Sequence, residues 1–267
     1  MAGNTKALRV RIKSVTSTLQ LTKAMGLVAS SKIRRANAAM LKGREYAETL
    51  RETMSLLSAD RECQKSPYMQ VHDENRVRLI VIAGDRGLAG GYNANVFRLA
   101  AQYPQAEIIP IGKRACERFG KPTVSSEHFS FSDAATLADT LCTNFADGDY
   151  DRLGIISTCY HSVMSQEAVV QWLLPLTHSD NTHAASMVFE PDEITVLNNV
   201  IREYVAGIIT VSVRESFASE VAARRMAMDS AGKNATQMIE NLQLEYNRAR
   251  QGAITQEITE IVAGAGD

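Results

Sequence analysis

Hydrophobic positions divide the chain into three stretches with different periods. In the first, Leu8, Ile12, Val15, Leu19, Thr22, Gly26, Ala29, Ile33, Ala36 and Met40 recur at alternating spacings of four and three. A repeat averaging about 3.5 residues is the seam of a coiled coil. The middle of this seam (Thr22, Gly26, Ala29) is small, so a partner helix can approach closely there. In the last stretch Met228, Ala231, Ala235, Met238 and Leu242 form a similar seam. Its phase drifts through Tyr246, Ala249 and Ala253, and Ile254, Ile258 and Ile261 follow at i, i+4 and i+7. The middle stretch alternates strand and helix signals. Strands are expected at 77–83, 107–111, 153–160 and 167–174, and helices at 92–102, 113–119 and 133–145. Continuous apolar strands alternating with helices predict a mainly parallel sheet.

Proline placement sharpens the boundaries. Pro67, Pro104, Pro110, Pro122, Pro175 and Pro191 all lie in the middle, and both flanks have none. Proline is excluded from helix interiors by its missing N–H and its ring clash. The expected fold is therefore α/β with a long antiparallel α-helical coiled coil: residues 1–66 the N-terminal helix, 67–191 an inserted α/β domain, and 192–267 the C-terminal helix. Asp192 is a candidate N-cap. At 1.5 Å per residue, helices over 4–58 and 193–263 would be roughly 80 and 100 Å long, so both are expected to project from the domain.

Charge is uneven along the chain. The net charge is −1, yet ten Lys/Arg and no acid precede Glu45. Residues 1–66 sum to +8, against −5 and −4 for the other two segments. A basic first helix beside Glu215, Glu220, Asp229, Glu240 and Glu245 suggests pairing that favours one register. Cys63, Cys116, Cys142 and Cys159 form no metal-ligand spacing and read as reduced thiols. No apolar run in the sequence reaches bilayer length, and no apolar segment of signal-peptide type follows the basic start.

Candidate chemistry is sparse. Gly84-Asp85-Arg86-Gly87-Leu88-Ala89-Gly90-Gly91 follows the first strand, where α/β folds bind phosphates. Its spacing matches neither the dinucleotide fingerprint nor a P-loop, and a structural turn or docking loop is the better reading. His72, His128, His161, His178 and His183 show no ligand spacing. Asp147, Asp149 and Asp151 alternate as in a solvated turn, and Cys159 and His161 flank Tyr160 without forming a catalytic pair. The residues suggest neither an active site nor a cofactor. Two alternatives stay open: a nucleotide-binding α/β enzyme using the Gly84–Gly91 loop, and a basic coiled-coil nucleic-acid adaptor.

Three stretches resemble one family. Ile12-Lys13-Ser14-Val15 with Leu21–Met25 and Val28–Ala36, then Asp85–Asn93 (DRGLAGGYN), then Ala218–Met228 and Leu244–Ala265 are similar to the gamma subunits of F-type ATP synthases. That family commonly has Cys at the position of Ala89. The resemblance implies a rotating central stalk with a Rossmann-like domain at its base. Such a stalk couples proton or sodium translocation to ATP synthesis and hydrolysis at the beta subunits, and regulates ATPase activity. It implies one copy per complex, with three alpha and three beta subunits, an epsilon subunit and a membrane c ring as partners. It also implies a peripheral position on the cytoplasmic face of the cell membrane, with no catalysis, cofactor or membrane span in this chain. Implied contacts with the alpha/beta hexamer are Lys23, Met25, Arg34, Arg35, Asp85, Arg86, Arg224, Arg250, Gln251, Thr255, Glu257, Ile258 and Ile261. Ile258, Ile261, Val262 and Ala263 suit a smooth apolar tip. Arg202, Glu203 and Tyr204 are implied contacts with the c ring or epsilon, although Ala206-Gly207 replaces the polar residues common there. No Cys pair lies between Tyr160 and Asp192, so the thiol switch of chloroplast members is not implied.

Overall fold

The computed structural model describes residues 2–72, 76–178 and 190–264. Helix α1 covers Ala2–Ser58 and helix α5 covers Glu193–Gly264. Between them lie strands β1 (Val77–Ile82), β2 (Glu107–Ile111), β3 (Arg152–Tyr160) and β4 (Gln166–Leu174). Helices α2 (Tyr92–Ala100), α3 (Lys113–Phe119) and α4 (Phe131–Ala146) alternate with them. Two 3-10 turns, Cys63–Lys65 and Pro67–Met69, were not signalled by any hydrophobic period.

The sheet order is β2-β1-β3-β4, with β1 parallel to β2 and β3, and β4 antiparallel to β3. The antiparallel edge has a local cause. β3 and β4 are joined by the short segment 161–165, too short for the crossover that a parallel pair needs. α4 starts with a capping box in which Ser130 and Asp133 satisfy each other's backbone amides.

The chain forms two compact units, residues 1–29 with 225–267, and residues 30–224. In the first, α1 and α5 run antiparallel. Arg9 donates a 2.8 Å hydrogen bond to the Tyr246 hydroxyl, and a Cβ on Gly26 would lie 3.7 Å from that of Met228. A Cβ on Gly232 would lie 3.8 Å from Thr22 Oγ1. Two glycines on opposite helices thus make the close approach that the small seam predicts. Every seam position of α1 named above is buried or half-buried. On α5 the seam differs from expectation at one place: Met238 is exposed and Ile239 is half-buried instead. With Ile239 included, Ala235, Ile239, Leu242, Tyr246, Ala249 and Ala253 stay in phase. The predicted drift was a consequence of taking Met238, one residue off the face.

In the second unit the same helices enter a globular core. Ala47, Met54 and Leu57 of α1, and Leu197, Ile201, Val205 and Ile209 of α5, pack with α4 and the Ile80, Ile82 and Ile155 side of the sheet. α2 and α3 cover the Leu79, Val81 and Ile156 side. Residues 204–213 of α5 are buried at every position. A helix apolar all round belongs inside a core, so this stretch is enclosed rather than projecting. By length and composition α5 is long and apolar enough to cross a membrane, but this stretch of it is buried in the protein's own core.

Charge pairing between the two helices is thinner than expected. Among the described residues only Arg44–Glu215, at 2.6 Å, joins α1 to α5. Glu220 and Asp229 pair with Arg224 and Lys233 one turn along their own helix, and Lys32 of α1 pairs with Glu127 of the α/β insert.

Candidate functional site

In a parallel α/β sheet, ligands bind in the crevice beyond the carboxyl ends of the strands. Here α5 fills that place. At the end of β3, the Thr158 amide donates to Ser216 Oγ (3.1 Å) and the Tyr160 amide to Glu215 Oε1 (2.9 Å). The Tyr92 hydroxyl at the start of α2 donates to the Ser216 carbonyl at 3.0 Å. Beyond β1, a Cβ added to Gly84 would stand 2.6 Å from the Glu220 carboxyl carbon. Gly84 is required so that the strand end can approach α5 this closely.

The Gly84–Gly91 loop is held from both sides. Arg224 donates to the Gly87 carbonyl through Nε (3.3 Å) and Nη2 (3.2 Å), and to the Arg86 carbonyl at 3.4 Å. Its Nη2 also lies 2.5 Å from Glu220. Burial pushes the Glu220 carboxyl above the ordinary carboxylate range, and Arg224 draws it part of the way back. On the other side, Asp85 accepts hydrogen bonds from the amides of Lys113 (3.0 Å), Ser126 (2.9 Å) and Glu127 (3.1 Å), and from the Ser125 hydroxyl (2.5 Å). Burial alone would raise its pKa; the Ser125 hydroxyl and the three amides more than offset that and hold the carboxyl below its usual range. Asn93 completes the loop, accepting from the Gly84 amide at 2.9 Å. Leu88, with φ of 61° and 64% exposure, is its outward point.

This arrangement sets two carboxyl groups, Asp85 and Glu220, where a phosphate would sit. The Gly84 amide is taken by Asn93, the amides of Lys113, Ser126 and Glu127 are taken by Asp85, and a buried carboxyl group, Glu220, faces the strand end. Of the two expected readings, a structural turn or a docking loop, the structure shows the loop packed as a turn on the protein's own α5. The signal for it was readable in part as Glu220 and Arg224 one helical turn apart, but nothing in the sequence placed them against Gly84. The alternating aspartates also differ from a solvated turn. Asp151 is buried and paired with Arg76, whose amide and side chain both donate to it, and this keeps the Asp151 carboxyl below its usual range.

The other implied contact residues scatter by environment. Lys23, Arg34, Arg35 and Arg86 are exposed, and Met25 is half-buried. Arg250, Gln251, Thr255 and Glu257 are exposed, as are Ile258 (56%) and Ile261 (70%). The Val262 side chain and His183 lie outside the described residues. Arg224 is only 12% exposed and spends its donors within the chain. Of the three residues assigned to the c ring or epsilon, Glu203 is exposed, Arg202 pairs with Asp139, and Tyr204 is buried. Ala206 is buried, and a Cβ on Gly207 would collide with Leu50 and lie 3.0 Å from Tyr46. Gly207 faces α1 and Ala206 is buried, which explains why neither position carries a polar group. Among the described residues, no group of three or more His, Cys, Asp or Glu could hold a metal ion.

The chain is a paired-helix α/β protein whose own helix fills the crevice of its sheet. Comparison with known proteins agrees. Residues 4–266 match the family described as ATP synthase. The ATP synthase gamma chain of Ruminococcus albus is 42% identical over 97% of this chain and 96% of its own length. That of Geotalea daltonii is 38% identical over 97% of each. Among solved structures, a chain of the Euglena gracilis mitochondrial ATP synthase superimposes with a TM-score of 0.74 at 21% identity, covering 98% of this chain and 94% of that one. A central-stalk/c-ring structure from Tetrahymena thermophila gives 0.64 at 22% identity, covering 79% and 99%. The chain belongs to the ATP synthase gamma-chain family.

Proposed function

We propose that this chain is the rotating central stalk of an F-type ATP synthase on the cytoplasmic face of a bacterial cell membrane. In this reading it couples proton or sodium flow to ATP synthesis at the beta subunits and takes no catalytic step itself. The observation that carries the reading is the state of the α5 C-terminus. From Ile254 to Ile261 every residue is exposed, Ile254, Ile258 and Ile261 included. A helix end that leaves apolar side chains uncovered is built for a partner surface.

Torque transmission requires a member that resists twisting, and two helices packed through Gly26 and Gly232 supply one. An asymmetric shaft inside a ring of three alpha and three beta subunits meets each beta subunit with a different face. Those differential contacts are what a conformational switch needs. Arg250, Gln251, Thr255, Glu257, Ile258 and Ile261 would engage the ring at one end, with Lys23, Met25, Arg34, Arg35 and Arg86 as further contacts. Arg224 and Asp85 would act there through the loop they hold, and Arg202 and Glu203 would face epsilon or the c ring. Residues 1–66, 67–191 and 192–267 are the working division into helix, Rossmann-like domain and helix.

Reconstitution tests the proposal. Mixed with alpha and beta subunits, the chain is expected to co-purify as one copy per hexamer and to make ATP hydrolysis depend on the complex. Failure to co-assemble, or ATP binding to the isolated chain that Gly87 substitution abolishes, overturns it.

A further inference from the structure

Within the second unit, α1, the segment 126–129 and α5 line an open cavity of about 360 Å³. That volume falls in the range of small-molecule sites. Ala36, Ala39, Phe129, Val213 and Phe217 give it apolar walls, and Lys32, Arg35 and Arg214 also line it. Its single acid, Glu127, is already engaged by Lys32 at 2.5 Å and by Arg86 at 3.7 Å. Arg35 and Arg214 make no ion pair or side-chain hydrogen bond among the described residues, which leaves two guanidinium groups available. Ser126 also lines the cavity, is 5% exposed, and its hydroxyl oxygen has no hydrogen-bond partner. A buried hydroxyl without a partner is costly to keep.

We propose that this cavity binds a small amphipathic carboxylate, an aryl or medium-chain alkyl acid. Its apolar body lies between Phe129, Val213 and Phe217. Its carboxylate meets Arg35 and Arg214. Such a ligand bridges α1, α5 and the α/β insert at once, so binding stiffens their junction. The site shares Arg35 with the ring contacts proposed above, but its test on the isolated chain does not depend on them.

The probe is 1-naphthoate, titrated into the full-length chain by calorimetry, with 1-naphthalenemethanol as its neutral counterpart. Saturable binding is expected, with Kd about 0.1–1 mM and the alcohol at least roughly tenfold weaker. The melting temperature should rise with naphthoate concentration. Arg35→Gln with Arg214→Gln, both at exposed positions, should abolish the preference for the acid over the alcohol. Ala39→Trp should fill the cavity and block both ligands. Absence of saturation at about 5 mM overturns the proposal. So does equal binding of acid and alcohol, affinity unchanged in the double Gln variant, or binding of an acidic peptide without naphthoate.

Discussion

Asp85 gathers three backbone amides and a hydroxyl onto one carboxylate, and so does for its loop what a bound anion does in a phosphate-binding turn. Asp85→Asn keeps the shape but removes the charge and replaces one acceptor oxygen by an NH2 group that faces a backbone amide, with an expected cost of about 2 kcal/mol or more in chemical denaturation. The sign of its pH dependence follows from the lowered pKa. The stabilisation is complete above the unfolded carboxylate value of roughly 3.9 and is lost as pH falls through the lower folded value. Wild type and Asp85→Asn should therefore differ by a constant amount from pH 6 to 8 and converge in melts below about pH 4. Glu220 runs the opposite way. Its raised pKa means the folded chain holds that proton more tightly, so its contribution weakens as pH rises from roughly 4.3 through the folded value. Gly84→Ala drives a methyl into the Glu220 carboxylate and should cost about 1–3 kcal/mol. Paired with Glu220→Ala it should cost much less than the sum of the two, which a double-mutant cycle reads directly. The glycines of this loop were visible in the sequence. The reason for Gly84 was not, because Glu220 lies far along the chain and only the fold brings it there.

Elements were legible where one period dominates. The α1 seam appeared as an unbroken alternation of fours and threes, and each position on it is covered. The 204–213 stretch of α5 has no such stripe, because burial on all sides erases periodicity, so its role as a core helix was hidden. Met238 shows the finer limit: two apolar residues in succession, Met238 and Ile239, leave the seam ambiguous until the partner helix selects one. Glycines along the helices carry the same lesson in energetic form. A Cβ on Gly252 meets nothing within 4 Å, so Gly252→Ala should stabilise the helix by about 0.5–1 kcal/mol through propensity alone. At Gly26 a methyl already meets Arg225 at 3.2 Å and Met228 at 3.7 Å. Gly26→Leu should force the helices apart and cost about 1–3 kcal/mol. Thermal melts followed by circular dichroism distinguish the two, and a destabilising Gly252→Ala would show that the exposed end of α5 is packed in solution.

For the molecule as a whole, stability and function separate along α5. The buried residues that hold the second unit together end at Ala222, and those of the first unit at Leu242. From Arg250 to Ile261 only Ala253 is even half-buried. A chain that kept such a segment for its own folding would bury it, since exposed isoleucines gain nothing in water. Deleting residues 250–267 should therefore lower the melting temperature of the isolated chain by no more than a few degrees. In a reconstituted complex the same deletion should uncouple ATP hydrolysis from ion pumping, read as acidification of vesicles per ATP consumed. Replacing Ile258 and Ile261 by Ser in the full-length chain refines the test, because it removes the apolar surface while keeping the helix length. If the deletion destabilises the isolated chain as much as it impairs coupling, the segment belongs to the fold; if pumping per ATP is unchanged, the torque passes through another surface. A large coupling loss with an intact melt assigns the exposed end of α5 to the partner ring, as the uncovered isoleucines require.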